Sequence, residues 1–253
     1  MPDFRIPETA MVFAAGFGTR MRPITNTMPK ALVPVCGRPM LDHILDKLSD
    51  TGVKKAVVNT HYLADMINTS VADRAEPKIF ISHETPQILE TGGGIVNALP
   101  LLGDKPFYVM NTDTLLVEHG QPALLRLAET WDPGKMDALL LLAKVTGAVG
   151  YDGNGDFDLL PGGILKRNKG GGGEYVYSGI MLIKPEIFQN QEIKPFSIFR
   201  DFLFKKPEYN SEDGQMPRLY GIVHNGKWLH VGTPEAIAQA EEAIRPVSGH
   251  NYP

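Results

Sequence analysis

A short apolar run, Ala10 to Ala15, stops abruptly at Gly16-Phe17-Gly18, and this junction constrains the fold more than any other segment. Six small or apolar residues in a row are too few for a buried helix and suit a strand covered on both faces. The glycines that follow permit a tight turn in which several backbone N–H groups point the same way. The same texture recurs downstream. Lys55 to Asn59, Lys78 to Ser82, Phe107 to Met110 and Ala138 to Val145 read as further buried strands, and Tyr175 to Ile183 as another. Between them lie stretches with helical spacing. Met40, Leu41, Ile44, Leu45 and Leu48 predict a helix opened by Pro39 and stopped at Thr51-Gly52, and helices are also expected near Leu63 to Ala72, Pro122 to Thr130 and Pro234 to Ile244.

Strands alternating with amphipathic helices predict an α/β domain with a mixed, mostly parallel central sheet flanked by helices. Ligands of such sheets gather beyond the carboxyl ends of the strands, where Gly16 onward and Asn111-Thr112-Asp113 both fall. Residues 147–173 are rich in Gly, Asp and Asn and include Gly170 to Gly173, which predicts a mobile loop or hairpin tip. The tail from Pro246 to Pro253 is expected to fray. No internal repeat is present, so a second, repetitive domain is not expected.

Composition narrows the function classes. Of the 253 residues 43% are hydrophobic and 21% charged, an ordinary globular balance, and the net charge of −4 argues against a nucleic-acid partner. Cys36 is the sole cysteine, which excludes an intramolecular disulfide. Met1 to Pro7 lacks the apolar core of a signal peptide, and no run nears the ~20 apolar residues of a membrane helix. The expectation is a cytoplasmic protein with no membrane partner.

The chemistry concentrates in Ala14-Ala15-Gly16-Phe17-Gly18-Thr19-Arg20, followed by Pro29-Lys30-Ala31-Leu32-Val33-Pro34-Val35. Met21 breaks the dinucleotide fingerprint and no Gly-Lys-Ser/Thr completes a P-loop. A bare Gly-x-Gly turn reads as a turn with solvated neighbours; Arg20 and Lys30 shift it toward a cradle for phosphates. Asp113, at a strand end, suits a hard divalent cation, although aspartate in a turn is commonplace. Glu84 and the stretch Leu89-Glu90-Thr91-Gly92-Gly93-Gly94-Ile95 offer glycines at a helix start, where backbone can press on a base or phosphate. In Lys227-Trp228-Leu229-His230-Val231-Gly232-Thr233-Pro234 a histidine precedes Gly-Thr-Pro.

These segments resemble the signature of the sugar-phosphate nucleotidyltransferases, Ala-Ala-Gly-x-Gly-Thr-Arg followed by Pro-Lys-x-Leu-x-Pro-Val, with every fixed position filled. The resemblance spans about Ala10 to Ala243 and implies a single Rossmann-like domain over residues 1–253. Its nucleotide-binding part would be about 8–115 and its sugar-phosphate-binding part about 116–245. The implied reaction is attack by a sugar 1-phosphate on the α-phosphorus of a nucleoside triphosphate, giving a nucleotide-sugar and pyrophosphate. Arg20, Lys30 and Asp113 would be catalytic. The nucleotide would be held by Ala14, Ala15, Gly16, Gly18, Thr19, Arg20, Lys30, Glu84 and Gly92, and the sugar phosphate met by Asn59, Asn111, Gly150, Ser178 and Gly179. Polar side chains near Asn59 and Ser178 can equally serve only loop hydrogen bonding.

Where the family pattern Trp-x-Asp-x-Gly-Thr-Pro carries a metal-binding aspartate, this chain has His230. Three readings stay open. His230 ligates a metal with Asp113, it donates to phosphate, or Asp113 is the sole protein ligand; a histidine with a purely structural partner competes with all three. The implied cofactor is Mg²⁺, with Mn²⁺ admitted by an imidazole ligand. The form Glu-Thr-Gly-Gly-Gly-Ile is most similar to the N-acetylmuramic acid 1-phosphate uridylyltransferases of bacterial cell-wall recycling, which makes UTP with N-acetylmuramic acid 1-phosphate the first expectation. GTP with mannose or heptose 1-phosphate, or a non-catalytic nucleotide-sugar sensor, are the alternatives. A monomer or small homo-oligomer is expected.

Overall fold

The computed structural model describes residues 6–211 and 213–245; the expected frayed tail and the first five residues lie outside them. Thirteen strands are present among the described residues. They are β1 (Thr9–Phe13), β2 (Pro34–Val35), β3 (Arg38–Pro39), β4 (Lys55–Thr60), β5 (Lys78–His83), β6 (Phe107–Asn111) and β7 (Thr114–Glu118). Then follow β8 (Ala138–Lys144), β9 (Phe157–Leu159), β10 (Ile164–Arg167), β11 (Tyr175–Ile183), β12 (Gln215–Val223) and β13 (Gly226–His230). The α-helices are α1 (Met40–Thr51), α2 (Ala64–Val71), α3 (Glu90–Leu102), α4 (Ala123–Thr130) and α5 (Pro234–Ile244).

Nine strands form one sheet in the order β5-β4-β1-β6-β11-β8-β12-β10-β9. The pairings β5–β4, β4–β1, β1–β6 and β8–β12 are parallel, while β11 runs antiparallel to both β6 and β8, and β10 to both β12 and β9. Seven of the nine strands therefore run one way, as the alternation of apolar runs and helices predicts. A bridge between Tyr175 of β11 and Phe157 of β9 curls the far edge back on itself.

Side chains alternate faces along each strand, so β1 feeds two cores at once. Ala10 and Val12 join the cluster with Leu41, Ile44, Leu45 and Leu48 of α1 and Leu124 and Leu127 of α4. Met11 points the other way, among Ile95, Ala98 and Leu102 of α3 and Phe188, Phe202 and Leu203. The predicted apolar stripe of α1 is the buried one. Its stop also behaves as expected, with Gly52 at φ 92 closing the helix through its N–H to Leu48 and Ser49 carbonyls. Pro39 sits one position earlier than expected, as the residue before the first helical turn.

Residues 147–173 differ from the expected loop. They contain β9 and β10, which add the last two strands to the sheet, while residues 147–156 and the glycine run stay irregular, as expected of a loop. Gly172 N–H donates to Asn154 O at 2.7 Å, tying that connection back onto the preceding turn. Short strands separated by Gly and Pro carry too little apolar periodicity to stand out from a loop. Further elements that carried no expectation are β12, the ribbon of β2 with β3, and the ribbon of β7 with β13.

Candidate active site

Beyond the carboxyl ends of β1, β4 and β6 lies a cavity of about 460 Å³. Its floor begins where β1 stops. Gly18 adopts φ +61, and a Cβ there would lie 2.8 Å from Thr25 Cγ2 and 2.9 Å from Lys30 Cβ, so the turn requires glycine both for its backbone and for its neighbours. Thr25 Oγ1 and Met21 N–H both donate to Gly18 O, at 2.7 and 2.8 Å, which locks the loop over the short helical turns that carry Arg20 and Lys30.

Beneath this loop runs a buried polar strut. Ala14 N–H donates to Asn59 Oδ1 at 2.7 Å, Asn59 Nδ2 donates to Glu84 Oε1 at 2.7 Å, and Leu89 N–H donates to Glu84 Oε2 at 2.6 Å. Glu84 is fully buried, and burial pushes its carboxyl up against the lowering effect of those hydrogen bonds. The strut ties β1, β4 and the approach to α3 into one frame. Asn59 was expected on the sugar side and Glu84 against the base. In the structure both side chains are committed to each other and to backbone, so they shape the cavity from below.

Asp113 is placed by two devices. Thr112 Oγ1 donates to Phe13 O at 2.9 Å, fastening the end of β6 to β1, and Val231 N–H donates to Asp113 O at 2.8 Å. The β7–β13 ribbon pairs Thr114 with His230, which brings the two distant motifs side by side. Lys30 Nζ donates to Asp113 Oδ2 at 2.6 Å, and His230 Nε2 lies 3.6 Å from the same oxygen. Burial alone would raise the Asp113 carboxyl, but the His230 ring and the Lys30 ammonium outweigh it and hold it well below the ordinary carboxylate range.

The cavity gathers Ala14, Ala15, Gly16, Gly18, Thr19, Arg20, Lys30, Asn59, Glu84, Asn111 and Asp113, residues that sequence motifs singled out. It does not include Gly92, whose missing Cβ makes room for the Phe196 ring; its N–H donates to Phe196 O at 2.8 Å. Both the N–H of Gly92 and the space beside its Cα are thus taken up by Phe196. Gly150, Ser178 and Gly179 also lie off this cavity. Ser178 is buried, its carbonyl accepting from Thr114 Oγ1 and Trp228 Nε1, and Gly150 packs its backbone against His230.

Sequence reasoning missed the opposite wall. Residues 198–203 form a π-helical turn capped by Ser197, which accepts from Arg200 N–H, and it brings Ser197 and Arg200 to the cavity beside Glu90 and Thr91. Ile198 N–H donates to Thr91 Oγ1 at 3.0 Å, and Arg200 pairs with Glu90 at 2.8 Å. Glu90 and Thr91 stood inside a noticed motif, whereas nothing about Ser197-Ile198-Phe199-Arg200 departs from ordinary composition. A single arginine in an irregular turn leaves no periodic trace.

Comparison with known proteins agrees with this geometry. A family model described as nucleotidyl transferase matches residues 9–151. The N-acetylmuramate alpha-1-phosphate uridylyltransferase of Caulobacter vibrioides is 43% identical over 243 residues, covering 94% of this chain and 97% of that protein. Its namesake from Neisseria meningitidis serogroup B is 33% identical over 234 residues, covering 92% and 96%. Among solved structures, HddC from Yersinia pseudotuberculosis complexed with GMP-PN superposes with a TM-score of 0.73 at 24% identity, over 94% of this chain and 99% of that one, a likeness of fold.

Proposed function

The chain belongs to the nucleotidyl transferase family, and we propose that it transfers the uridylyl group of UTP to N-acetylmuramic acid 1-phosphate, releasing pyrophosphate. The observation that carries this reading is the 2.6 Å pair between Lys30 and Asp113. It joins the phosphate-binding motif to the strand-end carboxylate in one cavity, under a loop whose backbone is fixed. The identity to the two uridylyltransferases over nearly the whole chain supports the choice of base and sugar.

The chemistry asks little of the protein beyond position and charge. The attacking oxygen of a sugar 1-phosphate is already ionised, so no general base is needed. In-line attack at the α-phosphorus crowds negative charge onto the transferring group, and positioned cations lower that barrier. Arg20 and Lys30 supply those cations from the loop side. Gly16 to Thr19 present backbone toward the triphosphate, while the Asn59–Glu84 strut keeps Ala14 from shifting under load.

Asp113 fits a divalent cation. Oδ2 faces Lys30, itself a cation stand-in, and Oδ1 has no protein partner among the described residues. No group of three or more His, Cys, Asp or Glu gathers there among the described residues. A cation at Asp113 would draw the rest of its shell from phosphate oxygens and water, as magnesium with nucleotides does. Such an ion supplies neutralisation of the polyphosphate when bound; holding the carboxylate in place and ionised is the work of Thr112, Val231 and Lys30. The reaction belongs in the cytoplasm, where the triphosphate is available.

The test is pyrophosphate release from UTP, GTP, CTP and ATP, each paired with the 1-phosphates of N-acetylmuramic acid, N-acetylglucosamine, mannose and heptose. UTP with N-acetylmuramic acid 1-phosphate should give the largest kcat/KM. A larger value for GTP with mannose or heptose 1-phosphate would replace the substrate assignment. No turnover with any pair, despite tight nucleotide binding, would replace catalysis with sensing.

A further inference from the structure

The Asn59–Glu84 strut grips the Gly-rich loop from beneath, and a second grip reaches the same loop from outside the cavity. The chain leaving β4 runs through His61 and Tyr62 before Leu63, at φ 50, turns it into α2. That left-handed backbone is one a leucine seldom adopts, so the turn is held by its surroundings. Tyr62 O–H donates toward two carbonyls at the far end of the loop, Thr25 O at 3.0 Å and Asn26 O at 3.2 Å, which share its one proton. Thr25 is also the residue whose hydroxyl donates to Gly18 O, so the contact bears on the centre of the loop as well as its end. At the tip, Phe17 is 42% exposed, and its ring meets those of His61 and Tyr62 with centroids 5.6 Å apart in each case. Phosphate chemistry gives no reason for an aromatic at this tip; the two ring contacts do. His61 is itself anchored, with Nδ1 2.9 Å from Glu84 O, and since a carbonyl only accepts, Nδ1 carries the proton. None of Phe17, His61 and Tyr62 lines the cavity.

We infer that Tyr62 is a positioning residue for the nucleotide: its ring holds Phe17, its hydroxyl holds Thr25 and Asn26, and together they keep Gly16 to Arg20 in the conformation that receives the triphosphate. Tyr62 does this without touching the nucleotide. A loop that is competent for only a fraction of the time weakens the apparent affinity in proportion to that fraction. The net contribution of one hydrogen bond shifts such a population by roughly 3- to 10-fold. Once bound, the triphosphate itself holds the loop through Arg20 and the backbone N–H groups, so the chemical step keeps its rate. The role therefore shows in nucleotide affinity and not in turnover. The inference rests on the nucleotidyl-transfer reading of the cavity.

Calorimetric titration of the full chain with UTP and magnesium, without sugar phosphate, tests this alongside hydrogen exchange of the Gly16 to Arg20 amides in the free protein. Tyr62→Phe keeps the ring and removes the hydroxyl. The Kd for UTP should rise roughly 3- to 10-fold and the loop amides should exchange faster by a similar factor. At saturating UTP kcat should stay within about twofold, and the melting temperature within about 3 °C, of wild type. Tyr62→Leu, which also releases Phe17, should weaken UTP binding further, and Phe17→Leu should weaken it in the same direction. A lower melting temperature with unchanged UTP affinity makes Tyr62 a residue of the fold alone and overturns the inference. So does a fall in kcat with unchanged affinity, or unchanged affinity and exchange in both Tyr62 variants. Weaker UTP binding without faster loop exchange overturns it as well, since the hydroxyl would then act on the nucleotide itself. In each of these cases the wild type still binds UTP and the reading of the cavity stands. A wild type that binds none of UTP, GTP, CTP and ATP overturns that reading and this inference with it.

Discussion

Asp113 and Asp137 sit at opposite ends of the same sheet, one at the carboxyl end of β6 and the other at the amino end of β8, and both carboxyls are held below their ordinary range. Their partners differ. Around Asp137 every lone pair is answered: Arg218 donates to both oxygens at 2.7 Å, Lys184 lies 3.3 Å from Oδ1, and Tyr209 O–H donates to Oδ2 at 3.2 Å. Around Asp113, among the described residues, only Oδ2 is engaged, by one lysine and, at 3.6 Å, by a histidine. A saturated carboxylate joins β8, β12 and the end of β11 and has nothing left to offer a ligand. A half-saturated one keeps donors in reserve, which is the condition for binding a cation without first dismantling the fold.

The sharpest way to break this contrast is Asp113→Asn. It should lower turnover by about 10³-fold or more, because the charge that neutralises the polyphosphate loses its seat. Stability should fall by about 1–2 kcal/mol, because Lys30, whose side chain is 16% exposed, keeps its charge but loses its carboxylate partner. Pyrophosphate release and thermal melting on the same preparation check both halves. Turnover within tenfold of wild type would remove Asp113 from the site. Lys30→Ala should follow with a loss of about 10²- to 10³-fold at a similarly small cost in stability.

Glu84→Ala should damage both properties. It leaves Asn59 Nδ2 and Leu89 N–H buried without acceptors, a loss of about 2–3 kcal/mol. Because Asn59 also holds Ala14 N–H, the Gly-rich loop loosens and KM for UTP should rise about tenfold. A variant as stable as wild type with unchanged KM would show that the strut does not set the loop. Glu84→Gln, which can still accept through one oxygen, should recover part of both.

Asp137→Asn should invert the pattern of Asp113→Asn. About 2 kcal/mol of stability is expected to go, the value of charged hydrogen bonds partly shared with solvent, while turnover stays near wild type. The pH dependence has a definite sign. Burial works against ionisation, but Arg218 and Lys184 keep the folded-state carboxyl below its unfolded value. Its contribution is therefore complete above the unfolded carboxylate range, near pH 4, and is lost as pH falls through the lower folded value. The gap in melting temperature between wild type and Asp137→Asn should thus be widest at neutral pH and shrink toward pH 3. A constant gap would mean that packing, not charge, is what the substitution removes.

How much of this was legible in the sequence follows the same division. The Gly16–Thr19 loop, Arg20, Lys30 and Asp113 could be found because a buried strand must end in a recognisable break, and phosphate chemistry needs those residue types there. The parallel half of the sheet was legible for the same reason, since its strands are continuous apolar runs. At Gly92 the sequence shows that a glycine is needed but not which atom takes the space, here the Phe196 ring. The pairing of Asn59 with Glu84 is not legible, because the two lie 25 residues apart and pairing of that kind has no local pattern. The proximity of His230 to Asp113 depends on the β7–β13 ribbon, whose strands are short and irregularly apolar.

Arg200 offers the smallest effect and the finest distinction. Its side chain is 67% exposed and pairs with both Glu90 and Asp201. Exposed pairs of this kind contribute about 0–1 kcal/mol, so Arg200→Ala should leave the melting temperature within a degree or two of wild type. Its position on the cavity wall away from the Gly-rich loop nonetheless puts an exposed cation beside the proposed polyphosphate site. Loss of that charge should raise KM for UTP or for the sugar phosphate by about threefold to tenfold, with kcat nearly unchanged, and the increase should shrink as salt is added. Arg200→Lys should restore most of the effect, because attraction at this distance needs charge more than a planar fork. If kcat falls instead and lysine fails to restore it, Arg200 belongs with Arg20 and Lys30 among the groups that hold the transferring phosphate, and the cavity has a fixed cation on each side.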